Sequence, residues 1–263
     1  MIRIVRKPTD TPDDNSTQMV IDALDVMGAE YEILSLQELN PFAIRYSGDL
    51  IWICGIRQDG VEFELIKALA LKNRLVNTPE AIATCASKVL TSALLTHHGV
   101  PTPETLFTAS RHMVDEFLQT HGKAVYKPVY GFDGDGIFLF SDVGDLADPP
   151  YYVQEYIRND RDFRVFVIGY QAAGAIYRQS PHLTHNIHQG GVGTPVEIDT
   201  SMREIAEAAA RAVGIDYCGV DLLKTEDGYT VLEVNGTPNW HCMAAPIPEL
   251  LAEYFVSEEK KMR

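Results

Sequence analysis

Residues 218–240, CGVDLLKTEDGYTVLEVNGTPNW, constrain the fold of this 263-residue chain more than any other stretch. Two apolar runs, 219–223 and 229–234, flank Glu226-Asp227-Gly228, a turn signal that predicts a β-hairpin. Asp221 falls on the first strand. Glu233 and Asn235 fall on the second, two residues apart, which puts both side chains on one face. Val231, Leu232 and Val234 occupy most of the remaining positions, as expected of a buried strand. Two carboxylates and an amide oxygen converging there suit Mg²⁺. This hard ion takes one or two carboxylates and completes its shell with water and phosphate oxygens. An acidic hairpin edge with solvated charges is the competing reading of the segment taken alone.

The formal charge of −15 argues against a nucleic-acid or anionic-membrane surface, either of which needs a basic patch. It also means that a polyanion must be received locally, by Lys, Arg, backbone amides and metal. Cys54, Cys85, Cys218 and Cys242 are scattered with no C-x-x-C pair, which fits free thiols in a reducing compartment. The N-terminal residues lack an apolar signal core and no run approaches a membrane span, so the expected location is the cytoplasm.

Before the hairpin, strand-type runs at 2–5, 31–34 and 50–54 alternate with helical spacing at Val20, Ala23, Leu24 and Met27 and again over 61–70. This predicts a small α/β lobe with a parallel sheet. Asn15-Ser16-Thr17 reads as a helix cap. Thr78-Pro79-Glu80 opens a helix that runs through Lys88 and stops at Gly99, after which VPTPET continues extended. In AVYKPVYGFDGDGIFLF, a strand ending at Lys127 leads into a loop with glycines 131, 134 and 136 and then a second strand. Such glycines let backbone amides approach a phosphate, with Lys127 at the loop base. A plain glycine hairpin is the alternative.

YYVQEYI and DRDFRVFVIG read as strands, the second alternating Phe163, Val165 and Val167 against Arg164 and Phe166. Arg164 is either a salt-bridged structural residue or an anion ligand. Histidines 182, 185 and 188 suggest a metal tract, but their spacing matches no standard zinc geometry. MREIAEAAARAVGIDY is a periodic amphipathic helix, and the terminal SEEKKMR reads as a frayed, charged tail.

NTPEAI with its following lysine, VYKPVYGFDGDG, VQEYI, DRDFRVFVIG, NIHQGG, CGVDLL and VLEVNGTPNW occur in this order. Together they resemble the ATP-grasp superfamily, specifically its RimK-like α-L-glutamate ligases. The resemblance implies an α/β (α+β) ATP-grasp fold. A small N-terminal α/β lobe would span 1–76, a central lobe with a glycine-rich lid 77–157, and a C-terminal lobe with the metal site 158–263.

It implies that Lys88 and Lys127 reach the ATP phosphates, with Gly134 in the lid that closes over them. Gln154, Glu155, Tyr156 and Ile157 would form the hinge that reads adenine through backbone groups, and Asp162 would take the ribose side. Arg164 and Arg178 would stabilise the transferred phosphoryl group, and Asn186 would face nucleotide or substrate. Asp221, Glu233 and Asn235 would hold Mg²⁺ or Mn²⁺. The implied reaction is an ATP-dependent ligation of carboxylate and amine through an acyl phosphate.

The partners implied are ATP, L-glutamate and a small-molecule acceptor, with homo-oligomerisation left open. Two departures bear on the acceptor. Thr184 and Gln189 stand where members of the family usually or often carry arginine. The loss of two cations, with the −15 charge, points away from an acidic protein tail. The branch that adds glutamate to small cofactors, such as tetrahydromethanopterin, the deazaflavin coenzyme or methanofuran precursors, fits better. A protein or peptide acceptor and a non-catalytic nucleotide-binding module are the alternatives. Trp240 is either a stacking platform near the metal or a core residue.

Overall fold

The computed structural model describes residues 1–7, 10, 11, 15–42, 46–56, 58, 60–131, 134–180, 183, 191–240 and 242–263. Its first part alternates as the apolar runs require: β1 (Ile2–Val5), α1 (Ser16–Val26), β2 (Tyr31–Leu34), β3 (Leu50–Ile53), α2 (Val61–Ala70) and β4 (Arg74–Val76). The four strands form a parallel sheet in the order β2-β1-β3-β4. Strands β1 and β3 are buried throughout, the pattern of a parallel sheet covered on both faces. Asn15 caps α1, its side chain accepting from the Gln18 N–H, as its position before the helix suggested.

The helix expected from Thr78 to Gly99 is two helices, α3 (Pro79–Ala86) and α4 (Lys88–His97). Ser87 adopts an extended backbone between them and caps the second through its side chain, which accepts from Leu90 N. A serine that can bond its own following turn competes with helix continuation. Lys88 therefore sits at the first turn of α4, and its N–H donates to Val129 O at 3.2 Å.

The next elements are β5 (Thr105–Thr108), α5 (Arg111–His121), β6 (Ala124–Tyr126), β7 (Phe138–Phe140) and β8 (Tyr151–Glu155). They make an antiparallel sheet, β5-β8-β6-β7, with α5 packed on one face through Val114, Phe117 and Leu118. The extended reading of VPTPET holds up to β5.

The C-terminal part contains β9 (Asp162–Ile168), β10 (Gln171–Gln179), β11 (Val192–Val196), α6 (Thr200–Val213), β12 (Tyr217–Thr225), β13 (Gly228–Asn235) and α7 (Ile247–Met262). Its five strands run β11-β10-β9-β12-β13, all antiparallel. The alternation of β9 is realised. Val165 and Val167 enter one core with the apolar face of α6, and Phe166 enters another with Trp52, Tyr217 and Phe255. The charged tail is not frayed: α7 runs to Met262, where Glu259 receives the N-terminal amine of Met1 and Arg263. The molecule is thus a mixed α/β protein, as expected.

Asn77 joins the first and last sheets. Its amide is 1% exposed, donates to Tyr217 O and Gly236 O, and accepts from Tyr217 N. Trp52 Nε1 donates to the Tyr217 hydroxyl at 3.2 Å, and Arg74 holds the Asp216 carboxylate with both terminal nitrogens.

Candidate active site

The predicted hairpin is β12–β13, and the register pairs Asp221 with Glu233 and Gly219 with Asn235. The same strand β12 pairs with β9 so that Asp221 lies opposite Arg164, while β9 and β10 pair Asp162 with Arg178. Four neighbouring strands, β10, β9, β12 and β13, therefore gather Arg178, Asp162, Arg164, Asp221, Glu233 and Asn235 onto one sheet.

Their contacts are ionic and well aligned. Arg164 grips Asp221 with two parallel bonds, Nε to Oδ1 at 2.7 Å and NH2 to Oδ2 at 2.8 Å. Arg178, 3% exposed, does the same to Asp162 at 2.6 and 2.8 Å and reaches Asp221 Oδ2 at 2.9 Å. Such forks fix direction as well as charge. Burial would raise the Asp221 pKa, but the two arginines overrule it and hold the carboxyl down at about 2. Burial likewise opposes the charge on Arg178, and Asp221 and Asp162 push its pKa above the ordinary arginine range.

Glu233 differs. Among the described residues it makes no side-chain hydrogen bond or ion pair, although it is partly buried. Asn235 Nδ2 lies 3.3 Å from Asp221 Oδ2. An unpaired carboxylate next to a second carboxylate and an amide fits a divalent cation. Asp221 would share oxygens that already accept from arginine. Among the described residues no group of three or more His, Cys, Asp or Glu could hold a metal. Histidines 182, 185 and 188, Thr184, Asn186 and Gln189 lie outside the described residues.

Two lysines come from outside this sheet, Lys127 just after β6 and Lys88 in the first turn of α4. Lys127 follows β6, and its Nζ donates to Gln154 Oε1 at 2.5 Å. Desolvation is the main influence on it and pulls its pKa down to about 8; Glu233 raises it, Lys88 lowers it and Asp221 raises it. Those influences put both lysines and both acids in one electrostatic neighbourhood. Lys88 Nζ donates to Gly131 O at 3.2 Å, at the start of the glycine loop. Gly134 takes φ +80°, a left-handed backbone that favours glycine.

Strand β8 leads to the residues expected to form the hinge. Gln154 and Glu155 are in the ladder, Glu155 donating its N–H to Glu104 O, and Ile157 O accepts from Asn159 Nδ2 at 2.8 Å. Tyr156 and Ile157 lie beyond the strand and are partly exposed. Asp162, placed on the ribose side by resemblance, gives both carboxylate oxygens to Arg178. Trp240 is a core residue, 4% exposed and edge-on to Phe166, so it offers no stacking face. None of the four cysteines, all among the described residues, is in a disulfide. Sequence reasoning misses Asn77 and the side chain of Gln154 as contributors; their partners are separated by tens of residues or more, and no local spacing signals them.

Residues 85–247 match the model of the RimK-like ATP-grasp domain. The tetrahydromethanopterin:alpha-L-glutamate ligase of Methanocaldococcus jannaschii is 33% identical over 195 residues, 68% of this chain and 67% of that protein. The N-acetylaspartylglutamate synthase A of Mus musculus is 34% identical over 180 residues, 62% of this chain and 47% of that protein. Among solved structures, the ATP-grasp ligase PsnB complexed with a minimal precursor superposes with a TM-score of 0.76. It is 21% identical and covers 98% of this chain and 99% of its own, a likeness of fold. No helix among the described residues is long and apolar enough to cross a membrane.

Proposed function

This chain belongs to the RimK-like ATP-grasp family, and from that premise we propose that it joins L-glutamate to a small acceptor. It is an ATP-dependent carbon–nitrogen ligase. The observation that carries the site assignment is the pairing of Asp221 with Glu233 under the field of Lys127. One acid is neutralised by arginine and the other is left free.

A carboxylate resists an amine because its charge and resonance make it a poor electrophile. ATP overcomes this by transferring its terminal phosphoryl group to the carboxylate oxygen, which forms an acyl phosphate and releases ADP. The amine then attacks the acyl carbon and loses a proton. The tetrahedral oxyanion collapses to the amide and inorganic phosphate leaves.

In this mechanism Lys127 and Lys88 hold the phosphate chain as point charges, with the loop of Gly134 above them. Arg164 uses Nε and NH2 on Asp221 and so presents NH1 to the charge that develops on the transferred group. Arg178 lies behind it and fixes Asp221 and Asp162 in place. Glu233, Asp221 and Asn235 would hold Mg²⁺ or Mn²⁺, which when bound neutralises charge on phosphate oxygens. Adenine is read by backbone groups at Tyr156 and Ile157, the hinge residues outside the ladder.

The small acceptor is favoured by the names of the relatives, by the −15 charge and by Thr184 and Gln189 in place of arginines. The test is ADP release with ATP, Mg²⁺ and L-glutamate over a panel of carboxylate-bearing cofactor precursors and an acidic peptide. Release driven by a small precursor supports the reading. Release with the peptide alone replaces the acceptor class, and ATP binding without turnover under any acceptor favours a binding module.

A further inference from the structure

The hinge motif assigns Gln154 a backbone role, yet its backbone is paired within the sheet to both β5 and β6, while its side chain bonds Lys127. Gln154 is 1% exposed. Its Oε1 accepts from Lys127 Nζ at 2.5 Å and its Nε2 donates to Thr105 Oγ1 at 3.0 Å. The Thr105 hydroxyl in turn donates to Pro103 O at 2.8 Å.

Two independent constraints fix which way the amide points. An ammonium has three donors and no acceptor, so Gln154 must turn its oxygen to Lys127. The single Thr105 proton goes to Pro103, so Thr105 can only accept from Gln154. Reversing the amide would set donor against donor at one end and leave a buried acceptor facing a spent hydroxyl at the other.

We propose that Gln154 is a positioning residue for Lys127, with Thr105 as its anchor, and that this neutral chain aims the ammonium at the nucleotide phosphates. Neutrality matters. A carboxylate at 154 would hold the lysine but cancel the charge the phosphates need, whereas an amide oxygen occupies one N–H and leaves the full positive charge and two protons for the ligand. The proposal rests on the nucleotide-site reading given above.

The experiment measures the affinity of ADP with Mg²⁺, and of adenosine, by calorimetry on the full chain. The variants are Lys127→Met, Gln154→Leu, Thr105→Val and the double variant Lys127→Met/Gln154→Leu. Losing a hydrogen bond to a charged group predicts about tenfold weaker ADP binding in Gln154→Leu. Adenosine affinity should be unchanged, because only the phosphate contact is disturbed. In the Lys127→Met background the same substitution should change ADP affinity by less than about twofold, since Gln154 acts through the lysine. Thr105→Val leaves Gln154 in place and should move ADP affinity in the same direction by a smaller factor, which keeps the test open if Gln154→Leu folds poorly.

An equal loss in both backgrounds, or a matching loss of adenosine, would overturn the proposal in favour of a structural role. Weaker ADP binding in Lys127→Met with Gln154→Leu and Thr105→Val unchanged would overturn this inference alone. Unchanged ADP affinity in Lys127→Met would overturn it together with the nucleotide site.

Discussion

Asp221 and Glu233 are register partners across the β12–β13 hairpin and carry their charges under opposite conditions. Asp221 is buried and gripped by Arg164 and Arg178, while Glu233 makes no hydrogen bond or ion pair among the described residues. The arginines therefore balance the first acid, and any negative charge available to a cation at this site would come from the second.

Glu233→Gln removes that charge at similar volume. Turnover, followed as ADP release, should be abolished, while the melting temperature stays within a few degrees because no hydrogen bond or ion pair among the described residues is lost. Near-normal ADP release would remove Glu233 from the metal assignment.

Arg178→Met removes the cation that grips Asp162 with two bonds and Asp221 with one. Breaking a buried ion pair from one side typically costs about 3–5 kcal/mol, so urea unfolding should show a loss of that order. A loss below about 1 kcal/mol would mean that the two carboxylates are compensated without this arginine.

Lys127 titrates near 8 in the folded chain against 10.5 ordinarily, chiefly through desolvation. Between those values the unfolded chain keeps a proton that the folded chain has released, so the contribution of this group to stability rises with pH across that window. Nucleotide binding runs the other way, because phosphate selects the ammonium. ADP affinity should fall by up to about tenfold per pH unit above about 8, and this slope should vanish in Lys127→Met. Calorimetric titration of both proteins across the window checks it.

A Cβ at Gly219 would lie 2.9 Å from Pro238 Cβ and 3.2 Å from Arg164 Cδ. Gly219→Ala should therefore cost about 1–3 kcal/mol by overpacking and lower kcat by pushing Arg164 off Asp221. Urea unfolding and steady-state kinetics report the two effects separately. An unchanged kcat would show that Arg164 adjusts freely.

The hairpin, the parallel sheet and the amphipathic α6 are legible in the sequence because each announces itself locally, through a turn signal, an apolar run or a helical period. The three acid and amide groups come with the hairpin for the same reason. What the chain does not announce is who neutralises Asp221. Arg164 lies 57 residues away and is brought opposite only by the β9–β12 register. The break at Ser87 is hidden because the apolar spacing continues through it, and whether a serine caps or continues a helix depends on the tertiary packing of the turn after it. Helix α5 is polar on average, yet Val114, Phe117 and Leu118 fall at helical spacing. Its apolar face has meaning only against the sheet it covers. The charged terminal helix reads as a tail because its partners, Met1 and Arg74, come from distant parts of the chain.

That last arrangement bears on the order in which the molecule can be made. Ile4, Leu24 and Trp52, from β1, α1 and β3, share one core with Phe166, Tyr217 and Phe255. During translation β1 and β3 must wait, with Trp52 and its neighbours uncovered, until α7 emerges. The parallel sheet is thus made well before its cover, and a chain stalled before α7 would present an adhesive apolar face to the cell.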